Sequence, residues 1–241
     1  MTAAASQTPV QLDTVAEATA RLLDTIRGLD GHAGAAPSAL PGWTRGHLLA
    51  HLARNADSLV NLLLWAHTGV EIPQYASAFL RDHDIEAGAP RPLAEQLADN
   101  ETAANRWLGL ARALTEHDWQ AEVRTRQGRP ITATEVRWMR LQEVEIHHVD
   151  LNTGYQPSDW PTAFVARLLP QAAADLNRRI VEFPLASFAL HATDTDYTTI
   201  VGATPATHNI TGPAASLAAW LIGRNAGTDL SGDLPSLPAW K

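Results

Sequence analysis

Apolar residues recur every three or four positions in four long segments of the first 155 residues, which is the spacing of a buried helix face. The segments run from Val10 to Leu29, from Thr44 to Gly69, from Leu93 to Leu114 and from about Glu135 to Asn152. Each segment is long enough for several helical turns. The pattern therefore predicts four amphipathic helices packed as a bundle.

Residues between these segments include signals for helix ends and turns. Thr132 and Glu135 have the three-residue spacing of a capping box at the start of the fourth helix, and Gly154 follows that helix as a stop signal. A turn is expected at residues 127–130, which read Gln-Gly-Arg-Pro. Residues 70–91 are predicted to be a long connection between two helices, and connections of that length are often functional.

The pattern changes after Tyr155. One helix is predicted from Ala163 to Val181 and another from Ala214 to Arg224, with three short strand-like runs between them: Ser187–Ala192, Tyr197–Val201 and His208–Thr211. The predicted fold is therefore α+β and mainly α. It consists of a four-helix bundle over residues 1–155 and a small α+β domain over residues 156–241.

Composition excludes several classes of function. A net charge of −8 disfavours binding to nucleic acid or to an anionic membrane, although a small anionic substrate needs only one or two arginines. The chain has no cysteine, so it has no thiolate ligand and no cysteine nucleophile of its own. Residues 1–9 lack the features of a leader peptide, and no apolar run reaches the roughly 20 residues that span a bilayer. We expect a cytoplasmic monomer.

The fourth segment carries the strongest chemical signal. Glu143 and His147 are four residues apart, so they lie one turn apart on one face of the predicted helix. A carboxylate and an imidazole in this arrangement can share a divalent metal ion, and His51 on the second helix is a candidate third ligand. Three protein ligands leave coordination positions open, which is typical of a catalytic site. Two histidines and one carboxylate suit zinc or non-haem iron, and a plain surface ion pair remains the alternative.

Neighbouring polar residues have weaker signals. Glu145 and His148 point about 100–160° away from the Glu143 face, so we expect them to be solvated or to support the ligands from outside. Asp150 is either an orienting partner for an imidazole or a simple charge at the helix end. Asn55, one turn after His51, is expected to border the same cavity.

Two stretches resemble a known family. Residues 41–52, PGWTRGHLLAHL, and residues 140–151, RLQEVEIHHVDL, are similar to the mycothiol-dependent maleylpyruvate isomerases, which belong to the DinB-like superfamily of metal-binding bundles. Residues 61–69, the region from Gly128 to Arg140 and the Gly223-Arg224 pair extend the likeness over most of the chain. Residues 154–200 align least.

The resemblance implies a zinc ion held by His51, Glu143 and His147, with His47 as a neighbour and not a ligand. It also implies a C-terminal domain that closes over the site and contributes Arg224 as a catalytic residue. The implied reaction is the cis–trans isomerisation of maleylpyruvate to fumarylpyruvate by reversible addition of a thiolate from mycothiol, an external low-molecular-weight thiol that zinc would activate.

Two other functions share these motifs. A mycothiol S-transferase would use the same activated thiol on another electrophile, without elimination. A noncatalytic metal-binding protein would keep the bundle and the metal face, and Arg224 would then be a charge that complements the C-terminal end of a helix dipole.

Overall fold

The computed structural model describes residues 9–180, 182–183 and 185–240 of the chain. It divides into two compact units, Met1–Thr153 and Gly154–Lys241. Residues 1–8, which belong to the segment expected to lack a leader peptide, lie outside the described residues. So does Val181, the residue at which a helix was predicted to end.

The N-terminal unit is built mainly from helices. Its elements are α1 (Leu12–Arg27), α2 (Arg45–Thr68), α3 (Ala78–Gly88), α4 (Leu93–Ala113), α5 (Glu116–Gln120), β1 (Glu122–Arg124), β2 (Pro130–Thr132) and α6 (Glu135–Asp150). Helices α1, α2, α4 and α6 pack on one another, which confirms the predicted four-helix bundle. The strands β1 and β2 form an antiparallel hairpin around the predicted turn, where Gly128 has a φ of 77°.

Helix α2 is the centre of this bundle. Its ends are those that the sequence predicted, because the Thr44 side chain accepts a hydrogen bond from the His47 N–H, and Gly69 takes a left-handed φ of 71°. Leu48, Leu52 and Leu59 are completely buried, and so are neighbouring alanines that allow the other helices to approach closely. The polar residues of α2 that face inward are therefore held in a rigid setting.

The structure adds one helix that the sequence analysis missed and corrects one predicted cap. The connection at residues 70–91 contains α3, whose first turn is capped by the Ser77 hydroxyl, which accepts from the Leu80 N–H at 3.1 Å. Thr132 does not cap α6 because it belongs to β2 and pairs with Glu122. The N-cap of α6 is Thr134, and its hydroxyl donates to the Trp119 carbonyl at 2.8 Å and does not cap the helix.

Close packing of α2 against the end of α3 gives a stability prediction. A Cβ added at Gly46 would lie 2.2 Å from the Ala89 carbonyl oxygen, whereas a Cβ at Gly109 on α4 would meet nothing within 4 Å. We expect Gly46→Ala to lower the free energy of unfolding by about 1–3 kcal/mol because the backbone must shift. Gly109→Ala is the matched control, and it should raise that free energy by up to about 1 kcal/mol through helix propensity. Urea unfolding of both variants tests this, and equal midpoints would contradict it.

The C-terminal unit combines two helices with a small sheet. Its elements are α7 (Thr162–Arg179), β3 (Phe188–Ala192), β4 (Thr198–Val201), β5 (His208–Gly212) and α8 (Ala214–Leu221). The strand order is β4-β3-β5, with β4 antiparallel and β5 parallel to β3. These elements match the predicted runs, and together with the bundle they confirm the α+β, mainly helical class.

The last helix is shorter than predicted. Gly223 takes a φ of 72°, and the Arg224 N–H returns to the Ala219 carbonyl at 2.7 Å, which closes α8. Arg224 therefore follows the helix and does not end it. Across the described parts of the chain, every helix is too short or too polar to cross a bilayer.

Candidate metal centre

Helices α2 and α6 bring the three predicted ligands together. His51 Nε2 lies 3.1 Å from Glu143 Oε2 and 3.2 Å from His147 Nε2, and His147 Nε2 lies 3.3 Å from the same Glu143 oxygen. The described residues contain one group of His and acidic side chains that could hold a metal ion, and it consists of these three. Glu143 and His147 are adjacent because of helix geometry, whereas His51 reaches them because α2 packs against α6.

The three side chains are largely covered. The exposed fractions are 8% for His51, 30% for Glu143 and 14% for His147. The His51 Nδ1 atom is buried and has no hydrogen-bond partner within the described parts of the chain. Trp43 packs beside His51, with ring centroids 5.6 Å apart and ring planes tilted by 59°.

Asp150 holds His147 in place. Its Oδ2 atom lies 2.8 Å from His147 Nδ1, and the carboxylate is almost completely buried. A carboxylate on one ring nitrogen fixes the ring orientation and leaves the Nε2 lone pair directed at the cluster. Of the two roles left open for Asp150, the structure therefore favours the orienting one.

Electrostatics keep the cluster ionised. Burial would raise the pKa of Glu143, but hydrogen bonds with His147 and His51 outweigh it and hold that pKa well below its ordinary range. Burial would lower the pKa of His147, yet Asp150 and Glu143 raise it to about 9. The pKa of His51 is lowered, chiefly by burial. Without a metal ion, His147 therefore carries the proton that the three groups share at neutral pH.

The residues around the cluster differ partly from expectation. His47 is a cap partner, because its Nδ1 accepts from the Thr44 N–H at 3.2 Å, and it lies outside the three-residue group. Of the two roles left open for Glu145 and His148, solvent exposure is excluded, since both are buried against α1. Glu145 accepts from Arg21 at 2.7 Å, and His148 Nε2 lies 2.8 Å from the Thr25 hydroxyl.

Sequence reasoning missed a second polar layer beneath the cluster. Arg140 is 2% exposed and lies one turn before Glu143. Its Nη1 donates to the Leu52 carbonyl at 3.1 Å and to Asn55 Oδ1 at 3.3 Å. Asn55, which was expected to border the cavity of the metal ligands, is thus a hydrogen-bond partner of Arg140. A helical projection would have found Arg140, because it shares a face with Glu143 and His147.

Arg224 belongs to the C-terminal unit. Its Nη1 atom donates to the Ile222 carbonyl at 2.9 Å, beside the turn that closes α8. The catalytic role that the resemblance gives it stays a prediction.

Known families and structures are similar to the chain over most of its length. A family model described as the mycothiol maleylpyruvate isomerase N-terminal domain matches residues 15–152, and the model of the corresponding C-terminal domain matches residues 159–239. No curated protein sequence matches the chain.

Two crystal structures of mycothiol-dependent maleylpyruvate isomerase are similar to this fold, one of them from a histidine-to-alanine mutant. Each is 29% identical to the chain and matches 95% of both chains with a TM-score of 0.85. With both domain models matched in order along the sequence, the chain belongs to the mycothiol maleylpyruvate isomerase family of enzymes.

Proposed function

We propose that the chain is a zinc- and mycothiol-dependent isomerase that converts maleylpyruvate to fumarylpyruvate. The observation that carries this proposal is the convergence of His51, Glu143 and His147 within the unit that matches the family's N-terminal domain. A shared activity is further supported by the 29% identity to crystallised isomerases over 95% of both chains.

The donor set fits a zinc ion. Two imidazole nitrogens and one carboxylate oxygen are the donors of many open zinc sites, and here they face one another at 3.1–3.3 Å. Two imidazole nitrogens this close are stabilised either by a shared proton or by a cation. The Asp150 contact to His147 is of the kind that supports a metal-bound histidine. When bound, zinc would supply the positive charge that keeps a thiol in its thiolate form.

Thiol addition explains how a double bond can be isomerised. Addition of a thiolate to the cis double bond converts it to a single bond that rotates, and expulsion of the same thiolate restores the double bond in the trans geometry. The electron pair rests on the neighbouring carbonyl as an enolate between the two steps, so the thiol is regenerated. The chain has no cysteine, so the thiol must come from outside.

The chain's own residues have separate roles in this proposal. His51, Glu143 and His147 would hold the metal, Asp150 orients His147, and Trp43 packs beside the His51 ring. Arg224 is proposed to pair with a substrate carboxylate or with the enolate oxygen. The expected closure of the C-terminal unit over the metal centre stays a prediction, as does the monomeric state.

One assay tests the function. Purified protein with measured zinc content is mixed with maleylpyruvate, with and without mycothiol, and both substrate and free thiol are followed. We expect turnover only when the thiol is present, with the thiol concentration unchanged at the end, and slower turnover for Arg224→Ala at full zinc content. A stable thioether with another electrophile would identify a transferase instead. Absence of reaction at full zinc content, with maleylpyruvate and with every other electrophile tried, would favour a noncatalytic metal-binding protein.

A further inference from the structure

The two helices that carry the proposed metal ligands are tied together on both sides of the ligand group. Helices α2 and α6 run antiparallel, because the start of α2 hydrogen-bonds to the end of α6, and a point further along α2 hydrogen-bonds to the first half of α6. His51 lies between these two contacts on α2, and Glu143 and His147 lie between them on α6. The contacts therefore bracket the ligands.

Arg45, the first residue of α2, forms the first tie. Its Nε donates to the Leu151 carbonyl at 2.8 Å, and its Nη2 donates to the Asn152 carbonyl at 2.7 Å. The loop before α2 adds a third bond, from the Ala39 N–H to the Asp150 carbonyl at 2.8 Å. Carbonyls at the end of a helix lack partners within that helix. Here three successive ones are held by the loop and the first residue of α2.

This tie fixes a residue on which the metal centre depends. Asp150 is almost completely buried, and its carboxylate lies 2.8 Å from His147 Nδ1. The backbone of Asp150 and of the two residues after it is bonded to the start of the α2 segment. The carboxylate that orients His147 is therefore held relative to the helix that carries His51.

Arg140 forms the second tie, in the opposite direction, from α6 to α2. It is 2% exposed, and its Nη1 donates to the Leu52 carbonyl at 3.1 Å and to Asn55 Oδ1 at 3.3 Å. Leu52 follows His51 directly in the sequence, and Arg140 lies one turn before Glu143. The second tie is thus as close to the ligands along the chain as the first.

Charged groups make both ties. Burial lowers the pKa of Arg140 to about 10, and the charges of Glu143 and Asp57 oppose this decrease, so Arg140 is charged at neutral pH. Hydrogen bonds from a charged donor are roughly twice as strong as those between neutral groups. The planar guanidinium also fixes their direction. A shift of α2 along α6 would break such bonds on both sides of the ligands.

We propose that Arg45 and Arg140 are positioning residues that fix the register of α2 against α6, and with it the position of His51 relative to Glu143 and His147. A built site needs its donors within about 0.5 Å of their productive positions. A slip of one residue moves a helix by about 1.5 Å along its axis, which exceeds this tolerance. The inference rests on the proposed function for the presence of a metal ion.

Metal binding by the full chain tests the two ties. The variants are Arg45→Met and Arg140→Met, which keep a long side chain and lose its hydrogen bonds. The matched control is Arg54→Met, because Arg54 also belongs to α2 but donates to Asp99 of α4 at 2.7 Å, and α4 carries no ligand. Zinc affinity is measured by competition with a chromophoric chelator. The visible absorption of bound cobalt(II) reports the coordination geometry.

Charge and position predict opposite changes in zinc affinity. Each replacement removes one positive charge, which by itself would strengthen the binding of a cation or leave it unchanged. Loss of register should instead weaken zinc binding about tenfold in Arg45→Met and in Arg140→Met, with an altered cobalt spectrum. Arg54→Met should match the unmodified chain in both measurements. Arg140→Lys keeps a donor for the Leu52 carbonyl and should recover most of the loss.

Unchanged or tighter zinc binding with an unchanged cobalt spectrum in Arg45→Met and Arg140→Met would overturn the proposal. An equal loss in Arg54→Met would also overturn it, because the cause would then be general destabilisation. If circular dichroism shows that Arg140→Met does not fold, Arg45→Met decides alone. The measurements need no turnover, so a chain that binds zinc without isomerase activity still tests the ties. A chain that binds neither metal would contradict the metal centre and the role of both arginines.

Discussion

Replacement of His51 by alanine is expected to remove the metal ion and, with it, all measurable isomerisation. His51 is the proposed ligand on α2, and its Nε2 lies within 3.2 Å of both Glu143 Oε2 and His147 Nε2. Loss of partners outside the ligand set costs about 10–100-fold in metal affinity, and loss of a ligand costs more. We therefore expect substoichiometric zinc by metal analysis and no thiol-dependent turnover.

The control for this experiment lies on the same helix. His47 is one turn earlier and caps α2, because its ring accepts from the Thr44 N–H. Glutamine at the third helical position serves a capping box equally well, so His47→Gln should retain zinc and activity. Full zinc content and full activity in His51→Ala would exclude the proposed centre. Loss of zinc in both variants would point to unfolding of this part of α2, and circular dichroism distinguishes that case.

Local geometry explains which parts of the site the sequence predicts. The four-residue spacing of Glu143 and His147 places them together on any helix, and the bounds of α2 follow from the chemistry of Thr44 and Gly69. The position of His51 opposite them depends on how α2 packs against α6. The sequence shows only which face of α2 carries His51. The family resemblance supplied its pairing with Glu143 and His147.

The burial of Glu145 and His148 comes from packing on more than one side of α6. The sequence left open whether Glu145 and His148 are solvated, because they point away from the metal face, but α6 is covered by α1 on that side as well as by α2. Their partners, Arg21 and Thr25, are more than 120 residues away in sequence. A projection of α6 alone cannot show that a second face of the helix is covered. The packing of α1 in the folded structure shows it.

Helix α3 escaped prediction because its apolar pattern is weak. Phe79 and Leu80 are 75% and 45% exposed, so they do not mark the buried face, which is held by Ile85 and by small residues such as Gly88. The capping Ser77 was the available signal.

Zinc affinity is expected to depend steeply on pH, and Asp150 is expected to set the range. Metal binding requires neutral imidazoles, and the metal-free chain holds a proton on His147 with a pKa of about 9. The pKa values of Glu143 and His51 are lowered, so those groups carry no proton to displace near neutral pH. One proton is thus released per zinc ion, and the apparent affinity should rise about tenfold per pH unit until about pH 9 and then level off.

Competition with a chromophoric chelator between pH 6 and pH 10 measures this dependence. Asp150→Asn removes a carboxylate that raises the pKa of His147, so the levelling point should move to lower pH and the slope near neutral pH should decrease. The variant should also bind zinc about 10–100-fold more weakly at high pH, because Asp150 no longer orients the ring. Asp24→Asn removes an equal charge from the exposed face of α1 and should leave the curve unchanged. Affinity that stays constant from pH 7 to pH 9 would show that His147 is not the group that zinc must deprotonate.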